Sequence, residues 1–292
     1  MADPAPSYRT NVRPPLPVAA ALALVRFLEP ILPQLAGRIA ERLWQSPRRI
    51  PTPEREHAVR ESGEPLRFPW DGGALAARSW GSGPTVLLVH GWEGRGTQLG
   101  AFVDPLVAAG FRVVAFDAPA HGETPGTTLV LPRFADAVTA AMREVGPVHA
   151  IVAHSFGAPA VAYALRAGLA VQSLVFVAPM DAAAAIRRFV AWMGLGPAVR
   201  RVMEERLERR FGQSLERFSA ASLARWQPAP LLVLHDRTDP ICPVGDGEAW
   251  DRNWPDSRMD VTENLGHTRI LRDPDVVAAV VAFVRERARA AA

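Results

Sequence analysis

Lysine is absent from this chain of 292 residues, and cysteine occurs once. All 33 basic side chains are therefore arginine, whose charge is not titrated away at physiological pH. Against 30 acidic residues the formal charge is only +3, spread along the chain, which excludes the clustered basic face that nucleic acid requires. The single thiol, Cys242, excludes an intramolecular disulfide and any multi-thiolate metal site, and it suits a reducing, cytoplasmic setting. Long apolar runs are missing too. The longest near the start, Leu16 to Val25, has 10 residues, about half of what a bilayer span needs. It imitates the apolar part of a secretory leader behind Arg9 and Arg13, but Arg26, Glu29 and Pro30 stand where a small-residue cleavage site belongs. What is present is a globular composition, 49% hydrophobic and 22% charged, on a length that fits one α/β domain with an appendage.

The appendage comes first. Residues 1–15, with four prolines, read as a loose tail. Val25, Leu28, Leu32, Leu35, Ile39 and Leu43 then repeat at helical spacing, and Pro30 and Pro33 break the run, so two helices meeting near Pro33 are expected. The arm is read as packing on the main body. An interfacial membrane helix, a weak peripheral contact, is the alternative, and Glu29 and Glu41 count against its polar face. Residues 46–65, rich in proline and charge, read as a linker, which closes an N-terminal region of 1–65.

From residue 66 the pattern changes to short apolar runs alternating with helical segments, the mark of a largely parallel sheet. An antiparallel hairpin is expected first, Leu66 to Trp70 and Leu75 to Trp80, turning through Asp71-Gly72-Gly73. Runs apolar on both faces follow at Thr85–His90, Phe111–Asp117, Val148–His154, Ser173–Ala178 and Leu231–His235, as buried parallel strands demand. Helices are expected over 97–109, 131–145 and 156–168, with a last strand at Arg258–Thr262 and a last helix from Pro274 to Arg289. Residues 181–228 are too long for a simple connection and helical in character, so they read as a cap inserted into a core of 66–180 and 229–292.

Four loops carry the chemistry. Ile151-Val-Ala-His-Ser155-Phe-Gly157 is an apolar strand running into a serine and then a small-residue helix. His90-Gly91-Trp92 follows the first central strand, Asp239 lies in a loop after Leu231–Asp236, and Gly266-His267 follows the last strand. Together these motifs resemble those of the α/β-hydrolase superfamily over about residues 66–290. One departure is Ala153, which stands where the family's elbow has its first glycine.

The resemblance implies a mostly parallel sheet flanked by helices, with Ser155 as nucleophile, His267 as base and Asp239 as the acid that orients it. Asp236 and Asp181 are rival acids. The backbone N–H groups of Trp92 and Phe156 are the implied oxyanion donors. Trp92 also reads as a wall of the acyl pocket, joined by Trp192 and Met193 from a cap whose position in the family is above the serine. Asp117 and His121, on a Gly/Pro loop, are read as a hydrogen-bonded turn and not as metal ligands, and His90 as a brace for its loop. The implied activity is hydrolysis of a carboxylic ester or related small acyl substrate, without metal or cofactor. Acyl transfer, thioester cleavage and perhydrolysis use the same machinery, and a non-catalytic binding protein on the same fold is the rival from another class.

Overall fold

The computed structural model describes residues 16–225 and 229–290, with side chains through residue 288. The chain divides into two compact units, Ser46–Ala182 with Phe218–Ala292 and Met1–Gln45 with Ala183–Arg217.

The larger unit is built on an eight-stranded sheet. Its strands are β1 (Glu64–Trp70), β2 (Gly73–Trp80), β3 (Thr85–Val89), β4 (Arg112–Phe116), β5 (Val148–His154), β6 (Val171–Val177), β7 (Leu231–Asp236) and β8 (Ser257–Thr262). They lie in the order β1-β2-β4-β3-β5-β6-β7-β8. Only β1 and β2 run antiparallel to their neighbours. β3, β5 and β7 are buried along their whole length, which is why their sequences are continuous apolar runs. On one face Val86, Leu88, Ala150, Val152, Val175, Val177, Leu232 and Leu234, spaced two apart along their strands, pack with Leu99, Phe102, Leu106, Ile270, Val280 and Phe283. Each fully buried side chain of this size contributes about 2 kcal/mol. The sheet thus sets the C-terminal ends of the parallel strands β3, β5, β7 and β8 along one edge, with β6 between β5 and β7, and the loops that carry Trp92, Ser155, Asp239 and His267 leave from that edge.

Two segments differ from the sequence expectation. The helix expected over 97–109 is a 3-10 stretch, Gly96–Phe102, interrupted by Leu99 off helical geometry (φ −90°, ψ 17°) and followed by a short α-helix, Val103–Ala108. Pro105 cannot donate to the preceding turn, so it is tolerated only in the first turn of a new helix. Within the supposed linker, Glu54–Glu56 and His57–Ser62 form helical turns. They are fixed by buried Glu56, which accepts from Arg95 Nε (2.7 Å), Arg95 Nη2 (2.8 Å) and Thr97 Oγ1 (2.9 Å). Those partners lie about 40 residues away, beyond the reach of local composition.

The smaller unit joins the arm to the insertion, where the sequence reading had packed the arm on the main body. Helices Leu16–Leu28 and Pro33–Trp44 meet at the Pro30–Pro33 turn and pack with helices Ala185–Trp192 and Pro197–Phe211. Leu22, Val25, Ala36, Ala40, Ile186, Val190, Leu195, Val199, Met203 and Leu207 form their shared core. Glu29 accepts from the N–H groups of Gly196 (2.8 Å) and Val199 (3.4 Å), capping the helix that begins at Pro197. Buried Glu41 is paired with Arg206 and Arg210. The arm's alternating spacing revealed an apolar face, but not which surface would cover it. The end of the insertion as read from sequence, from Phe218 on, belongs instead to the larger unit, where helix Ala220–Ala224 packs on helices Gly157–Leu165 and Val244–Asn253.

Asp236, the last residue of β7, ties two of the loops together. Its Oδ1 accepts from Thr238 N (3.0 Å) and Thr238 Oγ1 (2.6 Å), its Oδ2 from Thr262 Oγ1 (2.9 Å) and Leu265 N (3.0 Å). Burial pushes this carboxyl upward, but the donors on Thr238, Leu265, Gly266 and Thr262 outweigh it and hold the group well below the usual carboxylate range. A depressed folded-state value means that the stabilisation is present above the ordinary Asp value of about 3.9 and is lost as pH falls below it. Asp236→Asn should cost about 2–4 kcal/mol at neutral pH, because an amide NH₂ is turned toward donors. Thermal melts should show wild type losing more of its Tm than the variant between neutral pH and about pH 3. Parallel losses would show that the clamp is energetically idle.

Candidate active site

Strand β5 ends at His154, and Ser155 takes a left-handed backbone conformation (φ 52°) before helix Gly157–Leu165 begins. For a non-glycine residue this costs about 1–2 kcal/mol. The turn is held on both sides. Ser155 N–H donates to Val177 O at the end of β6 (3.1 Å), and Ser155 O accepts from Ala158 N (3.1 Å) and Met180 N (3.3 Å). Close backbone approach does the rest. A Cβ on Gly91 would lie 2.8 Å from Ser155 Cβ, and one on Gly157 would lie 2.6 Å from His90 O, so neither position admits a side chain. Ala153, the departure from the family's elbow, is fully buried in β5, and its methyl is accommodated there.

His267 enters from the short helix Gly266–Arg269 after β8. Its Nε2 lies 3.0 Å from Ser155 Oγ and its Nδ1 lies 2.7 Å from Asp239 Oδ2. The other carboxylate oxygen of Asp239 accepts from the N–H groups of Ile241 (2.7 Å) and Cys242 (3.0 Å). With an ionised Asp239 as acceptor, the imidazole carries its proton on Nδ1 and turns the Nε2 lone pair to the serine hydroxyl. Asp239 has a side-chain exposure of 0% and His267 one of 12%, so of this pair the imidazole is the one that water reaches. The rival acids are engaged elsewhere: Asp236 in the clamp, and Asp181 with Ala220 N (3.4 Å).

Phe156 directly follows Ser155, and Trp92 follows Gly91. Among the described residues neither of their N–H groups is given to a backbone carbonyl in the turns around Ser155. The half-buried Trp92 ring stands edge-on to Phe156 (5.8 Å) and to His121 (5.5 Å). His90 accepts from Ala118 N at Nε2 (2.9 Å) and donates from Nδ1 to Gly91 O (2.7 Å). Burial pushes its pKa down to about 4, so this brace is a neutral imidazole. The Asp117–His121 turn is likewise hydrogen-bonded: Asp117 accepts from Gly96 N and Glu123 N, and His121 Nε2 accepts from Glu93 N. Among the described residues no group of three or more His, Cys, Asp or Glu is placed to hold a metal ion, and no helix is long and apolar enough to cross a membrane. Trp192 and Met193 belong to the smaller unit. There Met193 packs against the shared core and its carbonyl accepts from Arg26, while Trp192 is 47% exposed.

Two further histidines lie beside the site, His235, which its place near a strand end marks as structural, and His154, for which the sequence suggests no role. His154 donates from Nε2 to the backbone O of His267 (3.0 Å), with the rings 4.7 Å apart. Burial, reinforced by His267 nearby, keeps it far below the usual histidine value and neutral. His235 donates from Nε2 to Cys242 O (2.9 Å) and so fixes the loop that presents Asp239. Their signal in the sequence was position alone, His154 directly before the serine and His235 within the strand that precedes the acid loop. Cys242, whose place three residues past Asp239 suggests an approach to the site, brings its buried Sγ to 3.9 Å from Ser155 Oγ.

The chain resembles known esterases in sequence and in fold. Over 246 residues the chain is 27% identical to a pimeloyl-[acyl-carrier protein] methyl ester esterase of Aromatoleum aromaticum, covering 68% of this chain and 96% of that protein. An enzyme of the same name from Aeromonas hydrophila is 25% identical over 250 residues, covering 69% and 95%. Among solved structures, an esterase from Pyrococcus furiosus superposes with a TM-score of 0.61 at 16% identity, covering 83% of this chain and 97% of that one. A thermophilic esterase from Thermogutta terrifontis gives 0.58 at 19%, covering 77% and 99%. Residues 86–280, more than half of the chain, match the sequence profile described as the alpha/beta hydrolase family, and this protein belongs to that family.

Proposed function

We propose that the protein is a serine esterase that cleaves a carboxylic ester through an acyl-enzyme, with Ser155, His267 and Asp239 as its reacting line. The observation that carries this reading is the unbroken sequence of contacts from Asp239 Oδ2 through His267 to Ser155 Oγ, at 2.7 and 3.0 Å, ending on a serine whose backbone is held at positive φ. A serine hydroxyl is a weak nucleophile until a base takes its proton, and His267 Nε2 stands within reach to take it. As Oγ attacks the ester carbonyl, the imidazole becomes cationic, and buried Asp239 stabilises that charge without itself accepting the proton. The tetrahedral oxygen gains its negative charge beside the N–H groups of Trp92 and Phe156, which flank Ser155 from the β3 loop and from the start of the following helix. The imidazolium then returns its proton to the departing alcohol. Water, deprotonated by the same Nε2, hydrolyses the acyl-Ser155 ester and restores the hydroxyl.

Relatives named as methyl ester esterases support a carboxylic ester with a small alcohol as the substrate class. The same atoms serve acyl transfer when an alcohol replaces water in the second half, so products are to be measured along with turnover.

Ser155→Ala should abolish labelling by a fluorophosphonate and turnover of p-nitrophenyl esters while leaving the melting temperature within a few degrees of wild type, since only a hydroxyl is removed. Comparable turnover in the purified variant would sink the reading. Asp239→Asn should lower kcat by about two to four orders of magnitude, because an amide favours the wrong imidazole tautomer. Asp181→Asn should leave kcat within about threefold of wild type, as its partner is Ala220 N–H. The reverse ranking in steady-state kinetics would move the acid to the end of β6.

A further inference from the structure

We infer that the paired helices Leu16–Leu28 and Pro33–Trp44 form a docking face for an anionic lipid surface. Helix Leu16–Leu28 is apolar nearly all round, with Arg26 as its single charge. One side, Leu22 and Val25, is spent on the core of the smaller unit. The opposite side is not. Leu16 (87% exposed), Leu24 (47%), Phe27 (67%) and Ile31 (61%) follow one another at helical spacing, and Leu32 (51%) and Leu35 (43%) continue the stripe round the turn. A helix apolar on both faces either has a second neighbour or lies in an apolar medium, and large side chains exposed in a row mark such a contact.

The charges say which partner fits. Glu29 and Glu41 are the only acidic residues between Leu16 and Gln45, and on sequence grounds they argued against a basic polar face. The structure turns both inward: Glu29 caps the helix that begins at Pro197, and Glu41, 4% exposed, is paired with Arg206 and Arg210. The other charged residues of these two helices, Arg26, Arg38 and Arg42, are exposed, Arg26 while donating to Met193 O. The imbalance extends further. Segments 1–45 and 183–217 hold 13 arginines against 7 acidic residues, a formal +6, while the rest of the chain has 20 against 23, a formal −3. A second copy of the chain would bring the same arginines against these, a like-charge contact. Phosphate-bearing lipid supplies the opposite charge together with an apolar layer.

The test is co-sedimentation of the full chain with vesicles of pure phosphatidylcholine and with vesicles in which about one third of the lipid is phosphatidylglycerol. At low salt the anionic vesicles should pellet at least about fivefold more protein, and about 0.5 M NaCl should release it. Phe27→Ser combined with Ile31→Ser should lower binding about tenfold with an unchanged melting temperature, both side chains being exposed. Arg38→Glu should weaken binding to anionic vesicles alone. Ser155→Ala should bind as wild type does, which separates this inference from the proposed chemistry. Protein that stays in the supernatant with both vesicles, or whose binding ignores the Phe27 and Ile31 substitutions, would overturn it. A dimer in light scattering that those substitutions split, without vesicle binding, would reassign the face to a second copy of this chain.

Discussion

The close approach of two backbones at the centre of the sheet governs the rest of the site. The loop leaving β3 passes so near the turn leaving β5 that Gly91 has no room for a Cβ beside Ser155, and Gly157 has none beside His90 O. That proximity brings the loop that carries Trp92 against the turn that carries Ser155 and Phe156. It also fixes what must surround it. The positive φ of Ser155 is unfavourable on its own and persists because β6 and the following helix bind its backbone from both sides.

Around this point the protein uses histidine in two distinct ways. His90, His121 and His154 are buried and held neutral, so each donates through one ring nitrogen, and His90 and His121 also accept a backbone N–H through the other. They brace loops. His267 instead has a carboxylate on one nitrogen and a hydroxyl on the other, and it keeps an edge toward water. The bracing imidazoles and the one proposed to react therefore differ in partners and burial and not in residue type.

The carboxylates divide in a similar manner. Asp236 and Asp239 are three residues apart, both buried, both in reach of loop N–H groups. Asp236 spends its acceptor positions on Thr238, Thr262 and Leu265 and so joins the acid loop to the histidine loop. Asp239 keeps one oxygen for His267. A shared clamp of this kind explains how two loops separated by a helix and a strand keep a contact of 2.7 Å without a covalent tie.

The succession of strands along the chain and the serine at a strand-to-helix turn were legible in the sequence, because each depends on local pattern: apolar runs, small residues, a chain order shared with a family. Ser155, Asp239 and His267 were likewise singled out from motif and order alone. What sequence could not decide was which groups meet across long separations. It pointed to Asp239 and left Asp236 and Asp181 as rivals, and the tertiary hydrogen bonds set Asp239 on His267 and Asp236 in a clamp. It assigned no role to His154, whose partner is 113 residues away. It read the arm and the insertion as separate pieces, although they share one core, since an amphipathic helix announces that it has an apolar face but not what covers it. Local pattern fixes what each segment can bury or present, and the packing of distant segments decides what each one meets.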